Sequence, residues 1–311
     1  MPLLSRKRTI LGKLEVTYGV DPVPTGAANA VLVRNLEITP QESELVGRDL
    51  VRPYLGHSEQ LPVSIHGVLQ FEIEVAGSGA AGTVPAYGPF LRACGFSETI
   101  SAGVSVTYAP VSNVFESMTI YFNVDGVLHK LTGARGNVEV VLNAKQIPVF
   151  KFSFTGLYQT VIDAAAPAVT LTSWQKPQAV NTGNTTGLSI HGYAGAVLSE
   201  LSMSVNNDVL YRSLVGAESV LIADRKPAGN MTIEATTVAV KDWWTISKNA
   251  TLGALSVTQG SVAGNRVRFD APAVQIVKPT YADQDGIQML QMGLTMVPGA
   301  AGNDEFTITV L

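Results

Sequence analysis

The sequence predicts a mainly β chain made of two tandem domains, on three observations. Apolar and polar side chains alternate with a period of two in several stretches, which puts every other residue on one face of a half-buried strand. Only two short stretches carry a helical pattern. The order of elements in the first half recurs in the second, and a length of 311 residues leaves room for two cores.

Taken in order, Tyr18 to Ala30 is an entrance arm rich in Pro, Gly, Asn and Thr. Leu69, Phe71, Ile73 and Val75 alternate with Gln70, Glu72 and Glu74 and predict a strand. Ala86 to Ala93 predicts a short helix, with Pro89 in its first turn, Tyr87, Phe90 and Leu91 on one face, and Gly95 as the stop. Met118, Ile120, Phe122 and Val124 predict a strand that turns at Asp125-Gly126, a pair suited to the positive φ of a type I′ turn, and returns through Val127 to Leu131. Val138 to Leu142 and the Phe150, Phe152, Phe154 series follow, and Gly156 is expected to end that sheet.

The second half repeats this order. A second arm, rich in the same residue types from Trp174 to Gly187, leads in; Gly229 to Thr236 parallels Gly67 to Glu74; Val240 to Lys248 predicts the second helix. Phe269 to Ile276 parallels Thr132 to Val140, and Ile287 to Met296 closes the half. The expected boundaries are therefore residues 1–160, with an N-terminal arm over 1–30 and a long loop over 41–61, and residues 161–311, with an entry arm over 161–195.

The surface is short of charge. Hydrophobic residues are 46% and charged residues 15% of the chain, with mean hydropathy +0.22, against roughly a quarter charged in an average soluble domain. A spanning helix needs about 20 consecutive apolar residues, and every apolar run here is shorter. The low charge instead predicts an exterior covered by other protein copies. Net charge is −4, and the 21 Lys and Arg are scattered, which argues against a dedicated nucleic-acid binder. Cys94 is single, as expected in a reducing compartment, and the apolar stretch after Arg6, Lys7 and Arg8 is too short for a signal peptide.

No catalytic constellation emerges. Gly77, Gly79 and Gly82 spell G-x-G-x-x-G, but the preceding strand has a polar face and Pro85 separates the loop from the helix, so a surface loop is expected. His57, His66, His129 and His191 are far apart and lack metal-ligand spacing. Glu72 with Glu74, and Asp283 with Asp285, share strand faces as any polar sheet face does. Neither G-x-S-x-G nor a phosphate-cradling loop occurs, and no cofactor or enzymatic activity is expected. The Asn-x-Thr sequences at Asn184, Asn230 and Asn249 carry no role without a secretion signal.

The segment Gln41–Leu61 differs in kind. It gathers Glu42, Glu44, Arg48, Asp49, Arg52, Tyr54, His57 and Glu59 around Leu45, Val46, Leu50, Val51 and Leu55. No regular secondary structure is evident there, and a long loop of this apolarity is expected to be an intersubunit arm. Its counterpart, Asn206–Pro227, carries Arg212, Glu218, Asp224, Arg225 and Lys226.

Over nearly its whole length the chain resembles the tail tube (major tail) proteins of long-tailed, non-contractile bacteriophages. Carrying the resemblance are Tyr18-Gly19-Val20-Asp21-Pro22-Val23-Pro24-Thr25, Arg48-Asp49-Leu50-Val51-Arg52-Pro53-Tyr54-Leu55-Gly56, and Leu91-Arg92-Ala93-Cys94-Gly95-Phe96. Lys130-Leu131-Thr132-Gly133-Ala134-Arg135-Gly136 and Ile222-Ala223-Asp224-Arg225-Lys226-Pro227 complete it. The resemblance implies β-sandwich tube domains whose inner sheets join side by side around rings, the rings stacking into a hollow conduit for DNA passage into the host. Six tube domains usually make a ring, so two per chain imply a trimer with pseudo-sixfold symmetry rather than a hexamer. It further implies assembly in the host cytoplasm, residence in the virion, contact with tail-end and length-setting ruler proteins, and duplex DNA passing without specific binding. Glu72, Glu74, Glu139 and Glu234 are the expected lumen residues, because a basic wall would hold DNA by counterion release. Glu44, Arg48, Asp49, Arg52, Tyr54, Arg212, Asp224, Arg225 and Lys226 are the expected inter-ring or intersubunit contacts, with the first arm reaching the adjacent ring. The competing expectation is a carbohydrate-binding or adhesin module, which would stay monomeric and expose aromatic platforms. A β-rich hydrolase would need an acid/base pair in a cleft.

Overall fold

A computed structural model describes residues 2–311, with 53% of the chain in strands and 5% in helix. The first half runs β1 (Arg8–Leu14), α1 (Gly26–Asn29), β2 (Ala30–Val31), β3 (Arg34–Gly47), β4 (Gln60–Glu74) and α2 (Gly88–Ala93). It continues through β5 (Phe96–Ser101), β6 (Ser105–Pro110), β7 (Met118–Val124), β8 (Val127–Asn143), β9 (Val149–Tyr158) and β10 (Ile162–Asp163). The second half runs β11 (Thr185–Ile190), β12 (Leu198–Ser204), β13 (Asn207–Leu214), β14 (Ala217–Arg225), β15 (Ala228–Glu234) and α3 (Trp243–Lys248). Then come β16 (Leu252–Gln259), β17 (Val267–Gln284), β18 (Ile287–Met296) and β19 (Thr307–Val310). Among the described residues no helix is long and apolar enough to cross a membrane.

Local chemistry sets these boundaries. Asp125 and Gly126 have φ of 34° and 104°, the two positive values of the expected type I′ turn between β7 and β8. α3 starts three residues later than the hydrophobic pattern suggests, because the Asp242 carboxylate accepts from the Thr245 N–H at 2.9 Å and caps the helix there. Val240 and Lys241 instead fold back on the Thr237 carbonyl as a turn. α2 and α3 each stop at a left-handed residue, Gly95 at φ 83° and Ala250 at φ 51°. The sheet does not end at Gly156 as expected; β9 runs to Tyr158, since Leu157 and Tyr158 still pair with Thr132 and Leu131 of β8.

The main sheet is antiparallel throughout and eight strands wide, in the order β3-β4-β9-β8-β12-β15-β18-β17. Within each set of four, the strands lie in the same sequence-relative order: first, second, last, third. β8 and β17 are long enough to serve two layers. Their C-terminal parts lie in the main sheet, while the N-terminal part of β8 pairs with β7, itself joined to β1 and β2. The N-terminal part of β17 lies between β16, which continues to β11, and β19, which continues to β6 and β5. A bulge between Thr132 and Arg135 in β8, and one between Val277 and Thr280 in β17, bend each strand from one layer to the other.

One contiguous core fills the space between the layers. The main sheet contributes Leu69, Phe71, Ile73, Val138, Val140, Phe150, Phe152 and Phe154, then Leu201, Met203, Met231, Ile233, Leu290 and Met292, all buried. α2 lowers Phe90 onto this row, edge-on to Phe71 at 5.6 Å, while Phe152 stacks on Phe71 at 5.5 Å and on Phe154 at 5.9 Å. Phe152→Ala is expected to lower stability by about 3–5 kcal/mol, because close-packed rings on both sides cannot collapse into the void. Urea denaturation followed by circular dichroism checks it, and a loss under about 1 kcal/mol would contradict the packing.

The Gly-rich loop has a packing role. Gly77 donates to the Asn265 side chain at 2.6 Å and Gly79 to the Gly264 carbonyl at 2.9 Å, and a Cβ on Gly77 would fall 2.2 Å from that carbonyl oxygen. The glycines permit two backbones to meet; they do not open a helix N-terminus.

Candidate functional site

The main sheet has one covered face and one bare face. Since Leu69, Phe71 and Ile73 point into the core, Gln70, Glu72 and Glu74 point the other way. Register carries this parity across the sheet. Glu72 is opposite Lys151, Lys151 opposite Glu139, and Glu139 opposite Ser204, with Ser202 opposite Asn230 in turn. Glu72, Glu74, Glu139 and Glu234 thus share the bare face, together with Glu37 and Glu200, which the sequence reading missed. The bases are Arg34, 3.1 Å from Glu72, and Lys151, 3.9 Å from Glu139, with Lys278 at the β17 bulge. Cross-strand neighbours would have exposed Arg34 and Lys151, but only with the register known.

Two strand edges of this sheet are unpaired among the described residues. β3 pairs with β4 on one side only. β17 loses its β16 partner beyond Gln275, so residues 276–284 pair with β18 alone. The corresponding edges inside the chain are satisfied, because β8 and β12 join over Glu139–Asn143 and Glu200–Ser204. Long open edges invite pairing with another chain.

Both long loops are hairpins, which corrects the expectation of arms without regular structure. β3 and β4 stay paired to Gly47 and Gln60, leaving the tip 48–59 as loop; β13 and β14 pair from Asn207–Arg225 to Leu214–Ala217. Alternation in Ser43–Val46 and Leu61–Ile65 was too weak to signal strands. Glu44 lies on β3, Arg48 pairs with Glu59 across the tip, and Asp49, Arg52 and Tyr54 are exposed on it. Arg212 is exposed near the second tip, and Asp224 pairs with Lys226 at 3.0 Å on the surface. Arg225 turns inward and is consumed within the chain: its Nε donates to Glu305 at 2.6 Å and its Nη1 to the Val111 carbonyl at 2.7 Å.

The second arm is received by the first half. Asn207 anchors its base, donating through its side chain to the carbonyls of Cys94 at 2.7 Å and Gly136 at 3.0 Å. Tyr211 stacks on His66 at 4.5 Å. The Val220 N–H donates to the Tyr18 hydroxyl at 2.6 Å, and Arg135 donates to the Val220 and Phe115 carbonyls, both at 2.7 Å, while lying over the Tyr18 ring. Burial pushes the Tyr18 hydroxyl pKa up, outweighing the Val220 hydrogen bond and Arg135. Val220 and Ile222 are buried there.

The entrance arm that supplies Tyr18 is fastened by two carboxylates. Glu15 accepts from Ser117, Thr119, Gly19 and Gly133 at 2.6–2.7 Å, the last inside the β8 bulge. Asp21 accepts from Tyr121, from the Val23 N–H at 2.8 Å and from Lys130 at 3.1 Å. Burial works against the Asp21 charge, but these partners outweigh it and hold its carboxyl below the usual value. A lowered carboxylate pKa stabilises the fold above the unfolded value of about 3.9 and loses that contribution as pH falls through the folded value. Amide exchange over residues 18–30 is therefore expected to accelerate as pH drops below about 4, after correction for intrinsic rates. Asp21→Asn should make that excess disappear; an unchanged profile would contradict the assignment.

The chain thus presents a bare acidic sheet face, two open edges and two hairpin arms, the second seated on the first half and the first exposed. A family model described as phage tail tube protein matches residues 5–302. No curated protein matches the chain.

Proposed function

The chain belongs to the phage tail tube protein family, and from that premise we propose that it polymerises as stacked trimeric rings into the tube of a long non-contractile tail, the conduit for DNA into the host. The family supports a structural protein of the virion tail that self-assembles. The observation that carries the finer reading is the main sheet. Its two sets of four strands share one order, and the β8–β12 junction between them pairs the strands equivalent to the open β17 and β3 edges. Repeating that junction between copies, head to tail, satisfies both edges and closes a ring. The two sets are then two tube-type units, the reading expected for residues 1–160 and 161–311.

Width supports a ring of three copies. Eight strands at about 4.8 Å span about 38 Å, so three copies close a circumference of about 115 Å, a diameter of about 37 Å before strand tilt widens it. Two copies would close at about 24 Å, a bore that side chains from both walls would fill. The second layer and helices cover the other face, so the bare face lines the lumen, and its glutamates keep DNA sliding rather than bound. Subunits assemble in the host cytoplasm, and the open ends of the tube meet the tail-end and ruler proteins.

Electron microscopy of the purified protein is expected to give hollow rings or tubes with threefold symmetry and a pseudo-sixfold wall. A sixfold ring of six chains would reject the two-unit reading, and a protein that stays monomeric at all concentrations would favour an adhesin-type module.

A further inference from the structure

The second arm is a template for where the first one goes. In β12–β13 and β14–β15, the pair Val209–Ile222 lies eight and nine residues out from the core pair Leu201–Met231. In β3–β4, the pair Val46–Leu61 lies eight residues out from Ile38–Leu69 on both strands. The two pairs are therefore equivalent positions on equivalent arms. Their surroundings differ: Ile222 is 8% exposed because it sits over Gly95, at the end of α2, whereas Val46 and Leu61 are each 51% exposed. Leu45 and Val63 beside them are also about half exposed.

The receiving surface recurs as well. Ala250 ends α3 in the left-handed conformation just as Gly95 ends α2, and next to it Leu252 opens β16 at 50% exposure. Trp244 on α3 meets Tyr281 of β17 at 5.1 Å, with Tyr281 56% exposed beside the open edge. In the first half the corresponding ground is occupied by the second arm. In the second half no described residue covers it, and the open β17 edge runs alongside.

We propose that the first arm seats on the α3–β16 surface of a second copy in the same ring, Leu61 and Val46 lying against Ala250 and Leu252, while β3 pairs with residues 276–284 of β17. This rests on the ring reading above, and it puts the arm's base within a ring instead of on the adjacent one. Only the tip 48–59, longer than the two-residue turn Val215-Gly216 of the second arm, extends past that seat.

Leu61→Cys and Ala250→Cys in one chain, treated with a short bismaleimide after assembly, test it; Cys94 is buried, so the unaltered chain is the blank. The expected product is a covalent ladder that stops at the ring's copy number, three. A ladder that runs on without limit would mean contact between rings and would overturn the proposal. So would intact tubes without cross-links, which leaves the tube reading standing. If the unaltered protein forms no rings or tubes, both fall together. Val46→Cys with Leu252→Cys repeats the test should the first variant not assemble.

Discussion

A chain whose residues 43–65 are replaced by Asp-Gly, joining Glu42 to His66 through a two-residue turn, is expected to remain folded and to form no tubes. Glu42 and His66 are already partners in the β3–β4 ladder, so a type I′ turn can close there without shifting register. The removed hairpin makes most of its contacts with itself: its apolar residues Leu45, Val46, Leu50, Val51, Leu55, Leu61 and Val63 are exposed, while at its base the half-buried Ile65 meets the Tyr211 hydroxyl of the second arm. Its loss therefore takes little from the monomer. Assembly is another matter, because burying the exposed half of each such side chain contributes about 1 kcal/mol. Several per contact, repeated at every junction of the proposed ring, would separate assembled from dispersed chains. Circular dichroism with light scattering reads both quantities at once. Normal tubes from the shortened chain would reject any assembly role for the arm, and an unfolded product would mean that it supports the fold.

Arg225→Met is expected to cost about 3–5 kcal/mol of stability, the range for removing one partner of a buried ion pair. Arg225 and Glu305 are 11% and 5% exposed in their side chains, with Nε and Oε1 2.6 Å apart. The guanidinium also holds the Val111 carbonyl and, at 3.1 Å, the Asn303 side chain, so it ties the end of β14 to the segments before β7 and β19. Without it the Glu305 carboxylate stays buried and uncompensated, its second oxygen already lacking a partner. Arg225→Met with Glu305→Met should recover most of the loss, because a matched apolar pair removes the stranded charge. Urea denaturation of the two variants decides; equal losses would mean that packing, not the charge, sets the cost.

Much of this was legible from spacing alone. The alternation around Leu69–Val75 and Phe150–Phe154, the Asp125-Gly126 turn and both helices are local signals, and each was met within a few residues. The α3 start slipped because capping by Asp242 overrides the hydrophobic pattern. The arms were visible as anomalies of composition but not as hairpins. Val220 and Ile222 are buried by partners more than 80 residues away, so nothing in their own neighbourhood separates them from Val46 and Leu61. Arg225 reads like any surface base, and only the placement of Glu305 removes it from the surface.

The sequence by itself determined a mainly β chain, its turns and short helices and its low share of charge, because period, turn chemistry and composition are properties of short stretches, while its resemblance to tail tube proteins pointed to the family that the family model shows. Only the tertiary structure decided which glutamates share the bare face, which strand edges stay open and which arm has a seat. Those depend on register and on contacts between distant segments, and a one-residue slip in register would send every side chain to the other face.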